Sequence, residues 1–134
     1  GAGSRRLMPA SAALDEHEVV VGVCGAGKTT LVRRLLGLGY PARVCAQEHS
    51  HVPSLFRRRG RPQALIYLHA SLPVVCRRLG VNWTEQVLAE QWQRLSLARE
   101  ECDFFLDTDP LTIPQVLHAT ECYLQAHAVC KRGL

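Results

Sequence analysis

The residue types at positions 22–29 could hold a chain of phosphates. They read Gly-Val-Cys-Gly-Ala-Gly-Lys-Thr and match the pattern G-x-x-x-x-G-K-[ST] at every fixed position. Glycines at this spacing let the main chain approach an anion closely, so that its amide groups form a cradle. We expect Lys28 to reach the outer phosphates of a nucleoside triphosphate and Thr29 to place its hydroxyl on Mg²⁺.

Every residue of this segment is a predicted nucleotide contact. The set is Gly22, Val23, Cys24, Gly25, Ala26, Gly27, Lys28, Thr29 and Thr30. Its context fits, because a branched apolar strand is expected at residues 18–23 and an amphipathic helix at residues 28–38. The amino end of that helix would add its positive partial charge to the cradle. Lys28 is the only lysine before the C-terminal tail, which indicates a specific need for a compact ammonium.

Strands and helices alternate along the rest of the chain, which predicts a parallel sheet. Further strands are expected at residues 42–46, 64–68 and 104–106, and further helices at residues 71–80, 84–101 and after Thr112. Leu88, Trp92 and Leu95 have the spacing of a buried helix face. Thr112 followed by Gln115 is a capping-box signature. The expected fold class is α/β, a three-layer sandwich with a short sheet of about four parallel strands in the order 2-1-3-4.

The bulk composition fits one globular domain. We assign residues 1–14 to a tag remnant and an N-terminal tail, and residues 15–134 to a single nucleotide-binding domain. The six cysteines include no C-x-x-C pair, which argues against a zinc site. Their spread over predicted strands and helices indicates reduced thiols in a cytoplasmic protein, with a disulfide framework as the alternative. No apolar stretch approaches the roughly 20 residues of a membrane span, so no membrane partner is expected.

The net charge of +4 gives little support for a nucleic-acid partner. The one dense basic group comprises Arg57, Arg58, Arg59 and Arg61, without interleaved aromatic residues. It lies in a long irregular segment at residues 47–62. The group could bind an anionic substrate or close over the γ-phosphate; a solvated loop without function is the alternative.

Three polar residues after the second strand, and a cysteine in the glycine-rich loop, are further candidates for functional side chains. Glu48 would lie near the phosphates, because ligands of open α/β sheets bind beyond the carboxyl ends of the strands. It could hold a Mg²⁺-bound water, act as a base, or be a solvated carboxylate. His49 and His51 could ligate a metal or form polar surface. Cys24 could be an oxidation-prone thiol or an ordinary small loop residue.

Beyond the loop, the layout resembles the small P-loop kinases of the adenylate, shikimate and gluconate kinase group, within the P-loop NTPase superfamily. Residues 65–71 read Leu-Ile-Tyr-Leu-His-Ala-Ser, which is similar to the Y-L-D-A-S strand of that group with His69 in the place of Asp. The resemblance implies that Arg94 approaches the substrate or the transferred phosphoryl group. It also implies that Asp107 and Asp109 belong to the turn that cradles adenine.

Two parts of the family pattern are abbreviated in this chain. The kinases usually have an additional strand before Y-L-D-A-S, often with an acidic residue that serves Mg²⁺ or the acceptor; here this part is shortened, and Glu48 is the best replacement. The lid would begin at Arg77 and Arg78, but residues 79–84 hold no arginine. Efficient phosphoryl transfer relies on charge stabilisation and exclusion of water.

These observations predict a protein that binds ATP with Mg²⁺ and resembles a small-molecule kinase. Lys28, Glu48 and Arg94 are the candidate catalytic residues, and Thr29 is the candidate Mg²⁺ ligand. ATP is favoured over GTP because no Asn-Lys-x-Asp run is present. One alternative is a regulatory nucleotide-binding module that hydrolyses slowly or not at all. A third reading is an RNA-associated ATPase that uses the arginine group.

Overall fold

A computed structural model describes residues 14–127 of the chain. One sheet has the strand order β2-β1-β3-β4, and each neighbouring pair is parallel. The strands are β1 (Leu14–Gly22), β2 (Ala42–Val44), β3 (Arg61–His69) and β4 (Phe104–Asp107). The predicted α/β class, parallel sheet and strand order are therefore confirmed. The tail expected at residues 1–14 lies outside the described residues, except for Leu14, which begins β1.

Five helices accompany the sheet. They are α1 (Lys28–Gly37), α2 (Leu72–Leu79), α3 (Glu85–Arg94), α4 (Ser96–Glu101) and α5 (Ile113–Ala126). The single helix expected at residues 84–101 is thus two helices. They separate at Leu95, whose amide bonds to the carbonyls of both Gln91 and Trp92, while the Ser96 hydroxyl donates to the carbonyl of Gln93 at 2.9 Å. A side chain that competes for helical carbonyls in this way favours a break.

The central strands form because their sequences are apolar on both faces. Val19, Val20 and Val21 of β1 are fully buried, as is Ile66 of β3. Strands that are covered on both faces have continuous apolar sequences, and such strands are typical of parallel sheets. The last helix, α5, begins with the predicted capping box, in which Thr112 and Gln115 each bond to the other's backbone amide.

The parallel register brings the candidate functional segments to one edge of the sheet. Gly22 pairs with Leu68, and His69 pairs with Asp107. The segments after β1, β2 and β4 therefore all leave the sheet at its carboxyl edge. Helix α1 packs against α5, and α3 packs against the 3₁₀ turn Gln47–His49 that follows β2.

The prediction that Trp92 is a core residue is wrong. The buried face of α3 is formed by Leu88 and Gln91, followed by Leu95. Position 92 lies at the edge of that stripe, so the Trp92 side chain is 36% exposed. Its ring packs beside the His69 ring, with 6.0 Å between their centroids.

The described residues bear on two further expectations, the lack of a membrane-spanning helix and the presence of reduced cysteines. In residues 14–127, no helix is both long and apolar enough to cross a membrane. The cysteines of this part of the chain are all free thiols: Cys24, Cys45, Cys76, Cys102 and Cys122. The sixth, Cys130, lies outside the described residues.

Candidate functional site

The glycine loop, residues 22–27, begins at a close approach of β1 to β3. A Cβ atom on Gly22 would lie 2.2 Å from the carbonyl oxygen of Leu68, so only glycine allows this approach. Val23 and Ala26 are buried and fix the loop to the core, whereas Cys24 between them is partly exposed. The loop is therefore a fixed turn at the carboxyl edge of the sheet.

The amino end of α1 points its free amides out of this loop. Gly27 has φ 95°, a left-handed conformation, and provides no side-chain cap. The first helical bond runs from the Leu31 amide to the Gly27 carbonyl at 3.0 Å. The amides of Lys28, Thr29 and Thr30 consequently have no partner within the helix. Together with the helix dipole, these donors form a surface suited to an anion.

The Lys28 ammonium is turned inward and is held by three oxygen atoms. Its Nζ donates to the carbonyls of Gly22 at 2.9 Å and Val23 at 3.0 Å. The same atom lies 2.9 Å from Oε2 of Glu48. Both side chains are almost completely buried, at 9% exposure for Lys28 and 5% for Glu48. The structure thus brings together two of the three predicted catalytic residues.

Glu48 owes its position to a rigid turn after β2. Its neighbour Gln47 is fully buried. The Gln47 side chain donates to the carbonyls of Val52 at 2.7 Å and Arg94 at 3.3 Å, and accepts from the Phe56 amide at 3.0 Å. Oε1 of Glu48 is buried without a hydrogen-bond partner among the described residues. An oxygen left in this state is an acceptor available to a cation or a bound water.

Arg94, the third predicted catalytic residue, contacts the backbone of the same turn. Its guanidinium donates to the carbonyl of Glu48 at 3.3 Å. It also lines a groove of about 480 Å³ formed by residues of the long loop, α3 and α4; these are Ser50, His51, Pro53, Glu90, Gln93, Arg94 and Ser96. Arg94 therefore lies between Glu48 and a polar groove.

Cys24 is surrounded by side chains from two other elements. Its amide donates to Oε1 of Gln91 at 3.0 Å, and its Sγ accepts from the Gln91 side chain at 3.5 Å. Its Sγ lies 3.3 Å from Nε2 of His49 and 3.9 Å from Oε2 of Glu48. One amide of the glycine loop is thus occupied by α3 in this state.

An apolar cavity of about 330 Å³ opens on the other side of the loop. Its floor is formed by Gly25, Ala26 and Gly27, and its walls by α1, α5 and the turn before α5. The apolar wall residues are Leu31, Leu111, Ile113, Val116 and Leu117. A cavity of this size, apolar and adjacent to an anion cradle, has the properties of a site for a planar base.

Arg78 closes one side of this cavity. Its guanidinium donates to the carbonyls of Gly25 at 3.1 Å and Thr108 at 2.7 Å, and to the Thr108 hydroxyl at 2.9 Å. Thr108 is buried and donates in turn to the His69 carbonyl at 2.8 Å. The arginine therefore connects the glycine loop to the turn after β4.

The two predicted adenine-side carboxylates have different local partners. Asp109 accepts from the Ser71 amide at 2.9 Å, and Asp107 accepts from the Asp109 amide at 3.0 Å. Partial burial opposes ionisation of Asp109, but the hydrogen bonds from Ser71 and the charges of His69 and Arg78 lower its pKa overall. Both carboxylates shape the turn that carries Thr108, and neither is among the residues that line the cavity.

Arg61, the last residue of the arginine group, is placed away from the glycine loop. Arg61 begins β3 and pairs with Leu14, at the end of the sheet opposite to the Gly22–Leu68 pair. Nine residues of strand separate the two ends, which corresponds to roughly 25–30 Å. Arg57 is ion-paired with Glu101 at 3.2 Å. This placement contradicts closure of Arg61 over the γ-phosphate.

Sequence reasoning missed Gln91 and gave Thr108 no role. A signal for Gln91 existed, since it lies three residues after Leu88 and four before Leu95, on the face that faces the core. A polar residue on such a face needs a buried partner. No comparable signal marks Thr108, because its neighbours in the site come from distant parts of the chain.

Comparison with known proteins supplies no family for this chain. None of the known protein families matches it. No curated protein matches it either. The proposed function therefore rests on the residues and geometry of the site.

Proposed function

We propose that this protein is a P-loop NTPase that binds ATP with Mg²⁺ and acts as a kinase-like phosphotransferase on a small molecule. The observation that carries the proposal is the buried pair of Lys28 and Glu48, whose charged atoms are 2.9 Å apart beside the free amides of α1. Burial of an ion pair costs much desolvation free energy, which only the attraction of the charges and further hydrogen bonds offset. A pair of this kind is therefore a candidate for a functional role. Here it stands at the point where phosphates would bind.

The phosphate side of the proposal follows from the donors present. The amides of Lys28, Thr29 and Thr30 have no partner within α1, and the Lys28 ammonium needs only to exchange an acceptor in order to bind a β- or γ-phosphate. The loop carbonyls of Gly22 and Val23 hold the ammonium close to the cradle until then. Positioned cations of this kind provide most of the catalysis in phosphoryl transfer.

The Mg²⁺ that accompanies ATP fits the oxygen donors on this edge. The Thr29 hydroxyl is at the first turn of α1, where it is exposed, and Oε1 of Glu48 is a buried acceptor without a partner. Mg²⁺ prefers such oxygen ligands and retains waters that need acceptors. Glu48 would hold one of these waters or accept the proton of the acceptor hydroxyl.

The purine base of the nucleotide would bind in the apolar cavity between α1 and α5. A purine inserted there would contact Leu111, Val116 and Leu117, and its phosphates would lead onto Gly25–Gly27 of the cavity floor. The cavity's apolar walls and 330 Å³ volume suit a base and exclude water around it. Absence of the guanine-specific motif favours adenine.

The acceptor would bind in the groove of about 480 Å³ beside Arg94. Arg94 provides a positive charge there, and Glu90 and Ser50 provide polar contacts. The groove adjoins Glu48 through the Arg94–Glu48 hydrogen bond. An acceptor in this groove and ATP on the glycine loop would therefore approach Glu48 from two sides.

One observation favours the second candidate, a regulatory module with slow hydrolysis. Gln91 occupies the Cys24 amide, and Arg78 is held by Gly25 and Thr108. Both side chains are therefore bonded to the glycine loop in this state. A module of this kind would bind nucleotide without closing a water-free chamber, and closure is what efficient transfer requires.

A turnover experiment distinguishes the two candidates. ADP release from ATP is followed while small hydroxyl and carboxylate compounds are added singly. A phosphotransferase should release ADP at least about tenfold faster with the right acceptor, and Arg94→Ala should lose this stimulation while Arg33→Ala, exposed on α1, keeps it. Stimulation by no compound across a broad panel, with tight ATP binding intact, would leave the regulatory module as the function.

A further inference from the structure

Three side chains with different donor atoms converge on one point at the glycine loop. Sγ of Cys24, Oε2 of Glu48 and Nε2 of His49 lie within 4.8 Å of one another. In the described part of the chain, this is the only such group of three drawn from His, Cys, Asp and Glu. The residues come from two separate elements, the loop after β1 and the turn after β2, so the fold itself brings them together.

The arrangement differs from that of a nucleophilic relay. In a relay, histidine would contact the thiol through one ring nitrogen and the carboxylate through the other. Here Nε2 of His49 makes both approaches, at 3.3 Å to Cys24 and 3.7 Å to Glu48. Three donor atoms that lie 3.3–3.9 Å from one another are instead the geometry of ligands around a cation.

The triangle also has the dimensions of a tetrahedral zinc site. Zinc bonds of about 2.3 Å to sulfur and 2.0–2.2 Å to nitrogen and oxygen, at tetrahedral angles, separate the ligand atoms by about 3.4–3.6 Å. The observed separations are 3.3 Å between Cys24 and His49, 3.7 Å between His49 and Glu48, and 3.9 Å between Cys24 and Glu48. Shifts of a few tenths of an ångström would complete the coordination.

A second observation concerns the other oxygen of the same carboxylate. Glu48 is 97% buried, yet its Oε1 has no hydrogen-bond partner among the described residues. A buried carboxylate in this state has unused acceptor capacity that a cation can satisfy. His49, with 59% of its side chain exposed, leaves the site open to solvent, so that a fourth ligand can be water.

We propose that Cys24, Glu48 and His49 form a binding site for a zinc-class divalent cation. The mixture of thiolate, imidazole and carboxylate selects Zn²⁺ and similar soft or borderline ions over Mg²⁺, which prefers oxygen ligands alone. Three protein ligands and one open position are the pattern of zinc sites that keep an exchangeable ligand. The site shares Glu48 with the proposed nucleotide site, but binding of the cation itself requires no nucleotide.

Lys28 competes with the cation for one oxygen. Its ammonium lies 2.9 Å from Oε2 of Glu48, the oxygen that faces Cys24 and His49. A divalent ion there would be repelled by the ammonium, which keeps the Gly22 and Val23 carbonyls as partners. Lysine at this position therefore weakens cation binding, although it is the residue on which nucleotide binding should depend most.

The test uses Co²⁺, a spectroscopic substitute for Zn²⁺, added to the reduced, nucleotide-free protein. We expect one equivalent to produce a thiolate-to-cobalt charge-transfer band, which Zn²⁺ then abolishes. Cys24→Ser should remove the band, and His49→Gln should weaken binding at least about tenfold. Thermal unfolding of each variant confirms that it is folded.

Two matched controls make the result specific. His51→Gln removes an exposed histidine from the same loop, and Cys122→Ser breaks a second cysteine–histidine contact, that of Cys122 with His118 on α5 at 3.6 Å. Both variants should keep the band at full intensity. A wild-type protein without the band, a band that survives Cys24→Ser, or a band lost in Cys122→Ser would each overturn the proposal.

Lys28→Met provides an independent readout. Removing the ammonium should tighten Co²⁺ binding by about tenfold or more, because the repulsion at the shared oxygen disappears. The same change should abolish nucleotide binding, so the two functions respond in opposite directions. Unchanged or weaker Co²⁺ binding in a folded Lys28→Met protein would contradict a cation that shares Oε2 with Lys28.

Discussion

The Lys28 ammonium and the Glu48 carboxylate form a buried ion pair of 2.9 Å that joins the loop after β1 to the turn after β2. The sequence places these residues twenty positions apart, and the parallel order of β1 and β2 brings them together. The Lys28 ammonium is suited to bind phosphate, and the Glu48 carboxylate is suited to bind Mg²⁺ or accept a proton. The pair therefore defines the centre of the proposed nucleotide site.

Glu48→Gln should remove the effect of Mg²⁺ on ATP binding. In the wild type, Mg²⁺ should tighten ATP binding about tenfold or more, since Glu48 accepts from a water of the ion. The variant should bind Mg²⁺-free ATP at least as well as the wild type, because a negative charge near the phosphates is gone. Calorimetry with and without Mg²⁺ measures both effects. Glu100→Gln, exposed on α4, is the matched control, and equal Mg²⁺ dependence in both variants would contradict the role of Glu48.

Gly22→Ala should destabilise the fold. The new methyl group would lie 2.2 Å from the Leu68 carbonyl oxygen, so β1 and β3 must separate at an expected cost of about 2 kcal/mol or more. Gly37→Ala is the control, since a Cβ at this helical position meets nothing within 4 Å and should stabilise α1 by up to about 1 kcal/mol. Urea unfolding measures both. Similar midpoints for the two variants would show that the close approach at Gly22 is absent.

The free energy of unfolding should depend on pH through Glu18. Burial, and to a smaller extent the charge of Asp15, raises the pKa of Glu18 from 4.5 to about 8. The unfolded chain therefore releases this proton near pH 4.5, whereas the folded protein keeps it until about pH 8. The contribution of Glu18 to stability is present below pH 4.5 and is lost as pH rises towards 8.

Glu18→Gln tests this linkage, since it cannot release a proton. The difference in stability between variant and wild type should increase in favour of the variant from pH 4.5 to pH 8, by an amount on the order of a few kcal/mol. Denaturant unfolding at several pH values gives this difference. Parallel stability curves for the two proteins across that range would show that Glu18 titrates normally.

Filling the apolar cavity should separate base binding from phosphate binding. Leu117→Trp adds bulk to the wall between α1 and α5 and should weaken ATP at least about tenfold while inorganic tripolyphosphate binds as before. Leu36→Trp, at a position of α1 that is 53% exposed, should change neither. Competition against a fluorescent ATP analogue measures the affinities of ATP and tripolyphosphate. Equal loss of tripolyphosphate in Leu117→Trp would mean that the cavity is not the base site.

The sheet was predictable because local patterns determine it. The Val19–Val21 run marks a strand covered on both faces, and the glycine loop with its helix fixes the start of a βαβ unit. Burial within α3 was less predictable: Leu88 is buried as predicted, but Gln91, for which no role was predicted, is buried and Trp92 is not. An amide-bearing side chain in the core depends on a partner from elsewhere, here the Cys24 amide.

The candidate site was predicted as a set of residues rather than as contacts. Glu48 was expected near the phosphates from strand order alone, and it lies beside Lys28. Cys24 and His49 were considered separately, because sequence spacing does not reveal that the loop after β1 meets the turn after β2. Their approach to 3.3 Å depends on how Gln47 anchors that turn. Tertiary packing of this kind leaves no periodic signal.

Calorimetric titration of the wild type and Lys28→Ala with ATP, ADP and GTP in the presence of Mg²⁺ tests the central claim most directly. We expect ATP and ADP to bind the wild type with micromolar affinity and GTP to bind more weakly. Lys28→Ala should lose at least about a hundredfold in ATP affinity while remaining folded. Failure of the wild type to bind any of the three, or equal ATP affinity in the folded variant, would contradict a nucleotide site on the glycine loop.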